Sequence, residues 1–222
     1  MDKAYYREYF ELERHHWWFV TRGQILMDTL RHHLPDHAYR RILNAGAGTG
    51  YTSELLASLG EVVSGEFDAE CVAFTSQKTG RPMEVMDLRQ VDYPEASFDL
   101  VCAFDVIEHI DDDRQAVAEM MRVCKPGGHV FVSVPAHMLL WSHHDVVNHH
   151  YRRYTLKGLQ EVFEKAHGSG KIVYANYFNT YLYPLILGFR LTSRLLPRRL
   201  LRSGSEDTGS DFSARGQDGT MA

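Results

Sequence analysis

Cysteine is scarce and scattered in this chain. The 222 residues hold three, Cys71, Cys102 and Cys124, and no two of them make a Cys-x-x-Cys pair. That spacing excludes a disulfide framework and a cysteine-based zinc site, and it fits reduced thiols in a cytoplasmic protein. A basic excess is lacking too. The 24 Lys and Arg face 29 Asp and Glu, a formal net charge of −5, so no nucleic-acid partner is expected. No stretch is apolar and uncharged for long enough to span a bilayer. The opening MDKAYYREYF has no apolar signal-peptide core. No internal repeat is present. What remains is an ordinary globular composition, 44% hydrophobic, sized for one domain with short extensions.

Strands and helices alternate through the middle of the chain. Residues 5–20 are rich in aromatics and run into a helical pattern through Ile25, Leu26, Leu30 and Leu34, which Pro35 ends. RRILNAG then reads as a strand, TSELLASLG as a helix, EVVSGEF as a second strand and 69–78 as a helix. RPMEVMD and FDLVCAFD follow as strands, with a helix over 111–124. KPGG predicts a turn that launches a fifth strand, HVFVSVP. A helix over 155–167 and a sixth strand, KIVYANY, come after it. Apolar strands in βαβα order predict an α/β, doubly wound, mostly parallel sheet with helices on both faces. Four regions are expected: a helical, aromatic extension over 1–38, the α/β domain over 39–178, an amphipathic helix within 179–202 and a disordered tail over 203–222.

The first strand leads into Asn44-Ala45-Gly46-Ala47-Gly48-Thr49-Gly50. Such glycines let backbone pass close beneath a ligand at the carboxyl rim of the sheet. The pattern is Gly-x-Gly-x-Gly. It is neither the dinucleotide Gly-x-Gly-x-x-Gly nor a P-loop, since no Lys-Ser/Thr follows. A plain glycine turn would also fit the loop taken alone. The other strand ends add to it: Glu66 and Phe67 after the second, Asp87 and Leu88 after the third, Asp105 and Val106 after the fourth. An acid at Glu66 can accept bonds from both ribose hydroxyls of an adenosyl group, and Asp87-Leu88 stands where an adenine edge and face would lie. Helix capping is the competing role for any one of these acids.

Together, NAGAGTG, GEF, MDL, FDLVCAFDVIEHI and RVCKPGGHVFVSVP resemble the class I S-adenosylmethionine (SAM)-dependent methyltransferases over roughly 40–178. HHWWFVTR, LLWSHHDVVNHHYRRYT and YFNTYLYP resemble a bacterial branch called type 11 or type 12, whose acceptors are often lipid- or sugar-linked. The resemblance implies a Rossmann-like fold, SAM as cofactor and a transferase. It implies SAM contacts from Asn44, Gly46, Ala47, Gly48, Gly50, Glu66, Phe67, Asp87, Leu88, Asp105 and Val106, with Arg22 reaching the SAM carboxylate. Two departures stand out. Asn44 replaces the usual acid, and no segment after KIVYANY reads as the antiparallel strand that normally closes the sheet.

The segment after the fifth strand carries the chemistry-bearing side chains. His144 or His150 is the candidate base, with Asp145 orienting it and Tyr154 beside it. Two alternatives stay open: a purely structural lid, or a divalent metal held among His144, Asp145, His149 and His150. Trp17, Trp18 and Phe19 suit either a lid over the pocket or a hydrophobic staple. Residues 185–198 set Arg190, Arg194 and Arg198 against Leu185, Phe189, Leu191, Leu195 and Leu196. That pattern fits a peripheral contact with an anionic membrane on the cytoplasmic face or a core-packed helix. The leading expectation is methyl transfer to a small, hydrophobic or lipid-linked acceptor such as a quinone. The alternative is a SAM-consuming enzyme that resembles the rhodoquinone-forming enzymes, with SAM as amino donor to ubiquinone and a divalent metal.

Overall fold

The computed structural model describes residues 3–34, 39–166, 170–181, 183–185 and 187–188. Five parallel strands stand in the order β3-β2-β1-β4-β5. They are β1 (Arg41–Ala45), β2 (Glu61–Glu66), β3 (Glu84–Val85), β4 (Phe98–Phe104) and β5 (Cys124–Ser133). Helices α1 (Lys3–His15) and α2 (Trp17–His33) precede the sheet. Within it lie α3 (Tyr51–Leu56), α4 (Ala69–Thr79) and α5 (Asp113–Val123), and after it α6 (His143–Val147) and α7 (Leu156–Lys165). Strand order reverses between β1 and β4, which is where open parallel sheets bind ligands.

Period-two alternation divides the apolar side chains between two cores. Leu43, Val101 and Ala103 face a cluster with Ala116, Val117 and Met120 of α5, joined at its edge by Leu159 and Phe163 of α7. Ile42, Leu100, Cys102 and Phe104 face Leu26, Met27 and Leu30 of α2 and Leu56 of α3. Both faces of β1 and β4 are therefore buried, which explains their near-continuous apolar sequence.

Four expectations change. The N-terminal helical run breaks at His16, whose backbone turns extended and whose ring accepts from Trp18 N at 3.3 Å, so that it caps a second helix. The third strand shrinks to Glu84–Val85, both exposed. KPGG is not a free turn but lies inside β5. Phe98 pairs with Cys124 and Leu100 with His129, so the intervening residues bulge from the ladder. Finally, KIVYANY pairs with no strand among the described residues. Its alternation reports a half-apolar ribbon, but a strand also needs a ladder partner. Here Tyr174 stacks on His33, and the Tyr177 hydroxyl accepts from Leu156 N at 2.7 Å. The helix expected over 185–198 lies outside the described residues except at 185, 187 and 188, and the tail at 203–222 lies wholly outside them. No helix among the described residues is long and apolar enough to cross a membrane.

Candidate active site

The site begins where β1 runs out. Gly46 sits at φ +68°, and a Cβ there would lie 2.4 Å from Val106 Cγ2. The glycine loop and the turn after β4 can approach this closely only because position 46 lacks a side chain. The neighbouring Gly48 (φ +52°) has nothing within 4 Å of where its Cβ would be. Its outer side is open for a ligand to approach the backbone. From the next strand, Glu66 braces the loop. Its Oε2 accepts from Gly48 N at 3.0 Å, and its Oε1 accepts from Phe67 N at 2.8 Å and Asp68 N at 3.1 Å. Phe67 is 67% exposed at the rim.

Asn44 is fully buried beneath this loop. Its amide donates to Thr52 Oγ1 and Ser53 Oγ, both at 2.8 Å. It therefore ties β1 to α3 from below. Asp87 is gripped by Arg89, which donates through its backbone and its guanidinium, with Nη2 to Oδ2 at 2.7 Å. The Arg89 side chain holds the Asp87 carboxyl below its ordinary range. Leu88 points into the core beside Met86 and Val91, 5% exposed, so its side chain is not offered at the rim.

Sequence reasoning missed the part played by α1, because an aromatic-rich leading helix carries no binding motif. Tyr6 donates to Asp68 Oδ2 at 2.6 Å. Arg14 reaches Thr49 O at 3.1 Å and Glu54 Oε1 at 2.6 Å, and Thr49 donates to Glu13. Burial pushes the Glu13 carboxyl up to about 7, against the pull of Thr49, Arg14 and Arg22. From α2, Arg22 pairs with Asp105 Oδ2 at 2.6 Å and donates to Ser133 Oγ at 2.9 Å. Trp18, Arg22, Asp105, Ser133, His137 and His144 all line a cleft of about 2220 Å³ beside β5.

The segment after β5 is held down at several points. Asp145, fully buried, accepts from Ser142 N at 2.8 Å, from Arg153 Nε at 2.7 Å and Nη2 at 3.0 Å, and pairs with His150 Nδ1 at 2.9 Å. Burial alone would raise its pKa, but the bonds from His150, Arg153 and Ser142 hold it well below the carboxylate range. Tyr154 is buried, and its hydroxyl donates to Asp113 Oδ2 at 2.8 Å. Arg152 Nη1 meets the same carboxylate at 2.7 Å. Tyr154 thus anchors the segment to α5. Tyr151 N donates to Glu108 O at 2.8 Å, fastening the segment to the turn after β4.

That turn holds Glu108 and His109, which the sequence places at the end of the fourth strand without a role of their own. Glu108 is fully buried, and neither carboxylate oxygen has a hydrogen-bond partner among the described residues. Burial, then Asp105, raises its pKa well above the usual range. His109 follows it, pushed down to about 4 by burial and by His150, whose ring centroid lies 4.5 Å from its own. His144 stands 6.2 Å from His150, centroid to centroid. The available signal was Glu-His directly after an apolar strand end.

The fold and rim define a doubly wound α/β protein whose glycine loop and strand-end acids lie along the carboxyl ends of the parallel strands. Residues 43–132 match the model of the methyltransferase domain family, and in this region the chain is similar to SAM-dependent methyltransferases. Over 126 residues the chain is 36% identical to a probable SAM-dependent methyltransferase of Mycolicibacterium smegmatis, covering 56% of this chain and 48% of that protein. A phosphatidylethanolamine N-methyltransferase of Cereibacter sphaeroides is 30% identical over 99 residues, 41% of this chain and 49% of that one. A ubiquinone biosynthesis O-methyltransferase of Proteus mirabilis is 30% identical over 102 residues, 42% of this chain and 41% of that one. The chain thus spans about half the length of the curated relatives it matches. Phosphoethanolamine N-methyltransferase 2 of Haemonchus contortus shares the fold, with a TM-score of 0.63 at 20% identity over 85% of this chain and 46% of that one.

Proposed function

We propose that this chain binds SAM across the ends of β1, β2 and β4 and transfers its methyl group to a small, hydrophobic or lipid-linked acceptor. The observation that carries the reading is Glu66, set beside a glycine loop whose Gly48 backbone is open on its outer side. Bound SAM supplies a methyl on a sulfonium, already a strong electrophile. The chain's work is to hold the cofactor, align the acceptor and exclude water.

In this reading Gly46, Ala47, Gly48 and Gly50 give the ligand close backbone, with Asn44 fixing the loop from below. Glu66 exchanges backbone amides for ribose hydroxyls, and Phe67 covers the adenosyl group. Asp87 and the backbone of Leu88 meet the adenine. Asp105 and Val106 flank the methionine end, where Arg22 takes the carboxylate. His150, oriented through Nδ1 by Asp145, or its neighbour His144 removes the acceptor proton. Tyr154 acts indirectly, through the segment it anchors.

The named relatives that act on phosphatidylethanolamine and in ubiquinone biosynthesis support a hydrophobic acceptor. So does the basic, apolar pattern of 185–198, as a contact with anionic lipid. A second reading, SAM as amino donor to a quinone with a divalent metal, is favoured by the proximity of Glu108, His109 and His150.

The test is incubation with membrane lipid extract and SAM bearing a heavy-isotope methyl, followed by mass spectrometry. A lipid that gains the label together with S-adenosylhomocysteine is the expected result. SAM consumed with an altered but unlabelled lipid supports the amino-donor reading. No SAM binding by the full chain sinks both.

A further inference from the structure

We infer that Glu108, His109 and His150 form a binding site for one divalent transition-metal ion, a property independent of whether the chain transfers methyl groups.

One donor atom from each residue lies within 4.8 Å of the others. Two donors on one ion with bonds of about 2.1 Å sit roughly 3–4 Å apart, so a small rotation of the partly exposed His109 ring closes the set. The three side chains come from two segments that the Tyr151 N to Glu108 O bond holds together.

Glu108 is the independent sign of a missing partner. A fully buried carboxylate with both oxygens unbonded among the described residues is costly unless paired or coordinated. The guanidiniums of Arg22 and Arg153, whose charges act on it, bond instead to Asp105 and to Asp145. A cation between Glu108 and the two imidazoles would satisfy it.

The surroundings are those of ligands prepared for metal. His150 gives Nδ1 to Asp145 at 2.9 Å, which leaves Nε2 as its coordinating atom. This carboxylate–histidine arrangement is the one that orients metal-bound imidazoles. His109 is hydrogen-bonded to the backbone of Asn148. Two imidazoles and one carboxylate favour manganese, iron, cobalt or zinc over magnesium or calcium, and three protein donors leave positions open. Of the four residues the sequence suggested as ligands, only His150 belongs to the set, because Asp145 is enclosed by Arg153 and Ser142. With an ion on His150 Nε2, the base in the proposed transfer is His144.

The experiment uses the full chain stripped with a chelator and titrated with Co²⁺, followed by visible d–d absorption, and with Mn²⁺ or Zn²⁺, followed by calorimetry and thermal unfolding. Saturation at one ion per chain, with a rise in melting temperature, is expected. Glu108→Gln and His150→Gln should each weaken binding by about tenfold or more, while His143→Gln combined with His149→Gln should leave it unchanged. Circular dichroism of the stripped variants separates lost binding from lost fold. If Glu108→Gln fails to fold, the more exposed His109→Gln carries the test. No saturable binding by the wild-type chain would overturn the site. So would binding abolished by the His143/His149 pair but untouched by Glu108→Gln or His109→Gln.

Discussion

Asp145 and Arg153 face each other through two nearly parallel hydrogen bonds, Nε to Oδ1 at 2.7 Å and Nη2 to Oδ2 at 3.0 Å. Neither side chain has much contact with water, at 9% exposure for Arg153 and none for Asp145. Removing one member of such a pair leaves a buried charge alone, at a cost of about 3–5 kcal/mol. Arg153→Ala should therefore lower stability by an amount of that order in denaturant unfolding, far more than loss of an exposed arginine.

The same pair gives a pH signature. The folded pKa of Asp145 lies below its unfolded value. Its contribution to stability is present in full above the unfolded pKa, near 4, and is lost as pH falls toward the folded pKa. Melting temperature measured from pH 5 down to about pH 2 should fall less steeply in Arg153→Ala than in wild type. Equal slopes would mean that Asp145 is not held by Arg153.

Glu13 has the opposite sign. Its carboxyl is raised by burial to about 7, so the folded state holds the proton more tightly than the unfolded chain. Stability falls as pH rises from about 4.5 to about 7. Glu13→Gln keeps a hydrogen-bonding group for Thr49 and removes the titration. It should be more stable than wild type at pH 8, by roughly 1–2 kcal/mol, and show little difference at pH 4.5.

Glu66 tests the proposed cofactor placement. Replacing a carboxylate that accepts from two hydroxyls removes charged hydrogen bonds worth about 1.5–3 kcal/mol. Glu66→Ala should weaken SAM affinity by about tenfold to a hundredfold in calorimetry. Unchanged affinity would remove Glu66 from the ribose.

Gly46 and Gly48 should respond differently to alanine. Both sit at positive φ, but only the Gly46 position would press a methyl onto Val106. Gly46→Ala should destabilise the apo protein by about 1–3 kcal/mol, and trimming the neighbour in Gly46→Ala/Val106→Ala should recover part of the loss. Gly48→Ala meets open space but carries the strain of φ +52°, so it should destabilise the apo protein less than Gly46→Ala does and also weaken SAM binding.

The sheet was legible because its signals are local. Val, Leu and Ile runs ending in glycine or acid place β1, β2 and β4 within a residue or two of where they lie. The errors fall where a partner decides the outcome. KIVYANY has the alternation of a strand and lacks a ladder, and KPGG has turn residues that the β4 register absorbs as a bulge. His16 breaks a helix because its own ring can cap the next one. At the site, the Asp145–His150 adjacency was suggested by spacing within one segment. The grip of α1 on Thr49 and the meeting of Glu108 and His109 with His150 join residues 35 to 42 positions apart, which no short motif encodes.

The bonds from Tyr6, Glu13 and Arg14 to Asp68, Thr49 and Glu54 turn the first helix into a latch over the glycine loop. All three attachments lie on one short helix, which His16 joins to α2 through an extended backbone. On the proposed placement of SAM, the cofactor lies against a loop whose position depends on this helix. A substitution confined to the first fifteen residues could change turnover without touching a group that meets either substrate.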